Sequence, residues 1–232
     1  LLRLGVITAG QAEAVLAWPE VWQGNDDAPR LIALSNMLAD AAPGLAERAA
    51  KLIERLHSAG ARLEFAALSP AEPGRRTFFA NVGQERQNLV QRLRNELPAA
   101  NLYQGRDPRL ESWRGTAAAK TEDVAESRFA VLDFDRPEGA SDDDWAAHLD
   151  EIRLRLESCA PLLIVSTGGG LHGWFRLAPT TDRAEIAQRT TNLNSLARTI
   201  GADPIADAPR IVRLPWTINF PDAKKRAKGR GI

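Results

Sequence analysis

Apolar positions along the chain switch repeatedly between a helical and a strand period. In PGLAERAAKLIERLHSAG, Leu45, Ala49, Leu52, Ile53 and Leu56 form one helical stripe. Pro43 suits the first turn of that helix and Gly60 its end. Residues 1–42 read as helices broken by the polar loop WQGNDDAPR, with Trp18 and Trp22 four apart on one possible face. Short strands follow in RLEFAAL and RRTFFANVG, then a helix in QERQNLVQRLRNEL. Residues 98–127 carry no regular period. Beyond the apolar run FAVLDFD, the segment SDDDWAAHLDEIRLRLESC opens with Ser141 as N-cap and acidic residues in its first turn, which suit the helix dipole. PLLIVSTGGGLHGWFRL reads as strand, glycine turn, strand; DRAEIAQRTTNLNSLARTIG reads as a helix, and RIVRLP as a last strand. Strands alternating with helices and hairpins predict an α/β or α+β class with a mixed sheet.

The period-two reading places chemistry on particular faces. In FAVLDFD, Asp133 and Asp135 share a side with Phe129 and Val131, while Ala130, Leu132 and Phe134 point the other way. Two carboxylates roughly 7 Å apart on one strand face repel each other unless a cation lies between them. In the glycine hairpin, His172, Trp174 and Arg176 share a face. His172, just beyond three glycines and near Ser166 and Thr167, suits an anion that loop N–H groups cradle. In GADPIADAPRIVRLP, Asp203 and Asp207 precede a strand whose Arg210 and Arg213 point to opposite faces. One aspartate is placed to complete a carboxylate trio, and one arginine to meet a polyphosphate.

Composition narrows the reading in three places. Thirty basic and thirty acidic residues cancel, so no global field draws the chain to nucleic acid or membrane. The single cysteine, Cys159, excludes a disulfide framework and a thiolate metal cluster and fits the cytoplasm. No apolar run reaches membrane-spanning length. The chain starts at Leu1 without an initiator methionine and stops in KKRAKGRGI, so it reads as cut from something longer.

Taken in order, the VLDFD strand, the STGGGLHGWF hairpin and the D…RIVRLPWTIN…K segment resemble the three motifs of the archaeo-eukaryotic primase superfamily. They are closest to its primase-polymerase and RepB-type primase branch of phages and mobile elements, and NLYQGRDP…AKTEDV resembles that branch's lead-in. The resemblance covers residues 45–232 and implies a primase-like catalytic domain over 43–232; residues 1–42, read as a helical N-terminal segment from their periodicity, lie outside it. It implies metal-ligating, catalytic roles for Asp133, Asp135 and Asp203, with Asp207 the rival to Asp203. It implies nucleotide contacts for Ser166, Gly169, Gly170, His172 and Arg213, and more weakly for Lys120, Asn219 and Lys224. Trp216 stands where the branch usually has glycine.

The implied activity is nucleotidyl transfer from an NTP or dNTP to a 3′-hydroxyl on a single-stranded DNA template. Two Mg²⁺ or Mn²⁺ ions serve it, and a helicase segment is expected in the full-length replication protein. Oxygen donors suit those ions, and the lack of a Cys/His cluster argues against catalytic zinc. Two other readings use the same residues: a nucleic-acid-binding initiator that does not polymerise, and a different metal-dependent phosphotransferase or nuclease. The basic residues from Lys224 to Arg230 are then a phosphate contact or a linker.

Overall fold

A computed structural model describes the backbone of residues 28–220 except 70–73, 116, 138, 168, 206 and 218. Side chains are described from Ala42 onward, Asp142 excepted. The Trp18–Trp22 face, Lys224 and the basic tail lie outside the described residues.

The first helix, α1 (Ala28–Leu56), corrects the expected start at Pro43, which sits inside it. Pro29 takes the first-turn place that proline favours. A run of strong helix formers between the two prolines carries the helix past the one N–H that Pro43 lacks. The rest runs β1 (Arg62–Leu68), β2 (Arg76–Asn81), α2 (Arg86–Glu96) and β3 (Asn101–Gly105), then a 3₁₀ turn (Thr121–Asp123). There follow β4 (Ser127–Asp135), α3 (Asp142–Ser158), β5 (Leu163–Ser166), β6 (Gly170–Thr180), α4 (Arg183–Ile200) and β7 (Ile211–Arg213). None of the described helices is long and apolar enough to cross a membrane.

The expected α/β or α+β class holds, but the expected mixed sheet does not: the described strands divide into two sheets. One has the order β2-β1-β3-β7, the other β4-β6-β5, and every described pairing is antiparallel. Alternation gives each sheet two working faces. On the first sheet, Leu63, Phe65, Ala67, Phe78 and Leu102 pack under Leu45, Ala49 and Ile53 of α1 and Leu89 and Leu93 of α2. On the second, Leu132, Phe134 and Leu171 are covered by Trp145, Ile152 and Leu156 of α3 and Ala197 of α4. The opposite face of the second sheet turns inward. Phe129, Val131 and Trp174 meet Leu56 and Val212 there, which joins the two sheets through a shared apolar layer. Asp133 and His172 continue that inward face.

Candidate active site

The site begins where β4 ends. Asp133 pairs across the ladder with His172 and Asp135 with Gly170, so the acidic pair and the hairpin motif are adjacent by register alone. Gly170 is required for this: a Cβ there would fall well inside contact distance of the Phe134 carbonyl oxygen and 3.1 Å from Asp135 Cα. The hairpin turn is tied by Thr167 N–H donating to Gly170 O at 3.0 Å. It is also tied by the Trp145 indole N–H donating to Gly169 O at 3.0 Å.

The third carboxylate arrives from α4. That helix stops at Gly201, whose φ of 76° is the left-handed conformation that terminates helices. Ala202 buries in the apolar layer over the second sheet. The next residue then hydrogen-bonds to the strand, Asp203 N–H donating to Asp133 O at 2.7 Å. Ligand oxygens of Asp133, Asp135 and Asp203 consequently lie within 4.8 Å of one another. Partial burial, and then the charges of Asp133 and Asp135, push the Asp203 carboxyl above the usual carboxylate range. Asp133 Oδ1 is buried with no hydrogen-bond partner, and His172 Nε2 stands 3.3 Å from it. A trio of oxygen donors that repel one another, one of them lacking a donor of its own, fits a hard divalent cation. Asp207 is turned elsewhere: its Oδ1 accepts from Arg210 Nε at 2.8 Å and is 2.7 Å from Arg210 Nη2.

Facing the acidic cluster is a cavity of about 220 Å³ where the two sheets meet. Its lining includes Asp133, Asp135, His172, Gly169, Tyr103, Arg106, Arg210, Arg213 and Asn219. Arg213, at the end of β7, is clamped by neutral acceptors: Asn101 Oδ1 at 3.2 Å, Tyr103 Oη at 2.9 Å and Asn219 Oδ1 at 2.8 Å. Its guanidinium also lies 4.9 Å from the centre of the Tyr103 ring. Burial lowers its pKa, while Tyr103, Asp135 and Asp133 oppose that shift. Asn219 spans the site, since its Nδ2 donates to Thr167 O at 2.9 Å. It therefore ties the third motif to the glycine hairpin. Trp216 adopts φ of 61°, the left-handed region that glycine favours, and its side chain packs against the core of the first sheet. The backbone shape expected of a glycine is thus reached by a tryptophan.

The residues named from sequence divide accordingly. Asp133, Asp135, Asp203, Gly169, His172, Arg213 and Asn219 converge, and Gly170 supports them from the strand. Ser166 is exposed and outside the cavity lining. Lys120 is also outside it: three-quarters exposed, it stands 3.8 Å from Glu122. Thr167 and Arg210 also line the cavity, so Arg210 and Arg213 reach one cleft rather than opposite faces, because Arg210 precedes the strand. Tyr103, Arg106 and Asn101 complete the site from outside the three sequence motifs. Arg106 Nε and Nη2 donate to Asp107 Oδ2 at 2.9 and 2.7 Å, and its backbone N–H donates to Arg210 O at 2.9 Å. The sequence signal for Asn101, Tyr103 and Arg106 lies in the NLYQGRDP segment.

Comparison with protein families and with curated proteins gives no match. Among solved structures the chain is similar to the crystal structure of primase RepB′, at 18% identity and TM-score 0.45 over 75% of this chain and 51% of that one. It is also similar to the catalytic domain of primase RepB′ in complex with initiator DNA, at 18% identity and TM-score 0.44 over 75% of this chain and 78% of that one. This chain thus spans about half the length of the first.

Proposed function

We propose that the chain is the catalytic domain of a DNA primase-polymerase. It joins nucleoside triphosphates to a 3′-hydroxyl on single-stranded DNA, within a larger replication protein of a phage or plasmid that works in the cytoplasm beside a helicase segment. The observation that carries this reading is the convergence of Asp133, Asp135 and Asp203, the first two of which line a cavity that also holds arginines. Carboxylates facing guanidiniums across a small cleft match a substrate that is itself a polyanion bound with cations.

In this reading Asp133, Asp135 and Asp203 hold Mg²⁺ or Mn²⁺, which when bound activates the 3′-hydroxyl and neutralises charge on the leaving pyrophosphate. His172 stands beside Asp133 and faces the phosphates. Arg213 offers a guanidinium whose direction is already set by Asn101, Tyr103 and Asn219, so little rotamer freedom is lost on binding. The 3′-oxygen attacks the α-phosphorus, and pyrophosphate departs toward the arginine side of the cleft.

Primer extension and de novo synthesis, each with Mg²⁺ and with Mn²⁺, test this. Template-directed product with release of pyrophosphate is expected, and it should be lost in Asp133→Asn. Nucleic-acid binding without product would favour the initiator reading; cleavage of DNA without pyrophosphate release would favour a nuclease.

A further inference from the structure

Three arginines line the cavity, and their partners differ in kind. Arg106 is buried and paired through two nitrogens with the fully buried Asp107. Arg213 is buried and clamped by neutral acceptors. Arg210 alone of the three is partly exposed, with 40% of its side chain accessible; its Nε donates to Ile205 O at 3.3 Å, and its contacts with Asp207, itself 36% accessible, both fall on one carboxylate oxygen. An accessible pair on a single oxygen is weak and exchanges easily. A phosphate oxygen entering the cavity offers the same guanidinium a stronger acceptor.

We infer that Arg210 is an exchangeable phosphate-binding residue, held off the ligand by Asp207, which competes with the incoming anion for the guanidinium. This rests on the proposed function only in taking a polyphosphate to occupy the cavity. Asp207 acquires a role distinct from metal ligation: it sets how tightly a phosphate is held and how readily pyrophosphate leaves. The two residues sit on one short turn, with Arg210 N–H donating to Asp207 O at 3.1 Å, so the exchange needs only side-chain rotation.

The test is calorimetric titration of the protein with inorganic pyrophosphate in Mg²⁺, on Asp207→Asn, Arg210→Gln and the double variant. Asp207→Asn should bind pyrophosphate about threefold more tightly, the worth of an exposed ion pair. Arg210→Gln should bind it about tenfold more weakly, as loss of a charged hydrogen bond requires. In the Arg210→Gln background, Asp207→Asn should have no further effect, because the residue it competes for is gone. Equal tightening in both backgrounds would show mere repulsion by Asp207 and overturn the inference, as would unchanged affinity in either single variant. Asp207 also acts electrostatically on buried Arg109, so melting temperatures accompany each titration. Wild-type protein that extends primers while the pyrophosphate cycle shows no coupling sinks this inference alone. Wild-type protein that binds neither pyrophosphate nor nucleotide sinks the proposed function with it.

Discussion

The backbone N–H of Asp203 donates to the carbonyl oxygen of Asp133 at 2.7 Å, an isolated antiparallel bridge between residues seventy positions apart in the chain. One hydrogen bond thereby fixes the height at which the third carboxylate meets the first two. Because the bond is made by backbone, a side-chain substitution at either position changes the donor set without releasing the chain from the strand.

Asp203→Asn should therefore fold and lose function. Burial, then the charges of Asp133 and Asp135, raise the Asp203 carboxyl above its ordinary value. The stability this group contributes is present below the ordinary carboxylate range and is lost as pH rises through its raised folded value. At neutral pH without metal the ionised group opposes folding, so Asp203→Asn should raise the metal-free melting temperature at pH 7. The same change should abolish stabilisation by Mn²⁺ and lower turnover at least about 10²-fold. A lower metal-free melting temperature with an intact Mn²⁺ response would remove Asp203 from the cation site.

Trp216 allows backbone strain to be measured apart from packing. Both Trp216→Gly and Trp216→Ala lose the indole that packs on the first-sheet core, but only alanine keeps a Cβ at φ of 61°. Glycine should be the more stable of the two by about 1 kcal/mol, a few degrees in melting temperature for a chain of this size. Equal melting temperatures would mean that the turn does not hold the left-handed conformation in solution.

Gly170→Ala should injure the site through backbone alone. The added methyl meets the Phe134 carbonyl oxygen and Asp135 Cα, so the end of β4 must move and take Asp135 with it. A destabilisation of about 1–3 kcal/mol is expected with loss of primer extension. Retained activity with unchanged stability would show that the β4–β6 pairing does not persist to its last residue.

His57 should make the fold acid-sensitive. Burial, and next the charges of Arg128 and Arg176, lower its pKa from 6.5 to about 3. Its contribution is fully present above the ordinary histidine value and is lost as pH falls toward 3, at about 1.4 kcal/mol per unit for one proton. His57→Leu should flatten the dependence of melting temperature on pH between about 6 and 4. An unchanged slope would show that His57 titrates near its ordinary value.

The sequence determined the elements and most of the acidic and histidine chemistry, because period-two alternation decides which side chains share a strand face before any strand finds a partner. Asp133 with Asp135 was legible in this way, as was the helix α3 with its Ser141 cap, where Ser141 Oγ accepts from Asp144 N–H at 3.1 Å. The start of α1 was misplaced because proline marks a first turn equally well at Pro29 and at Pro43, and local signals do not rank the two. Tertiary structure alone brought Asp203, and not Asp207, beside Asp133 and Asp135. Both precede the same strand, and only the bridge to Asp133 and the ion pair to Arg210 separate them. It alone also brought Tyr103 opposite Arg213, through the pairing of β3 with β7. Which strands pair across such a distance depends on the packing of whole faces, a sum over many weak contacts that no short stretch of sequence contains.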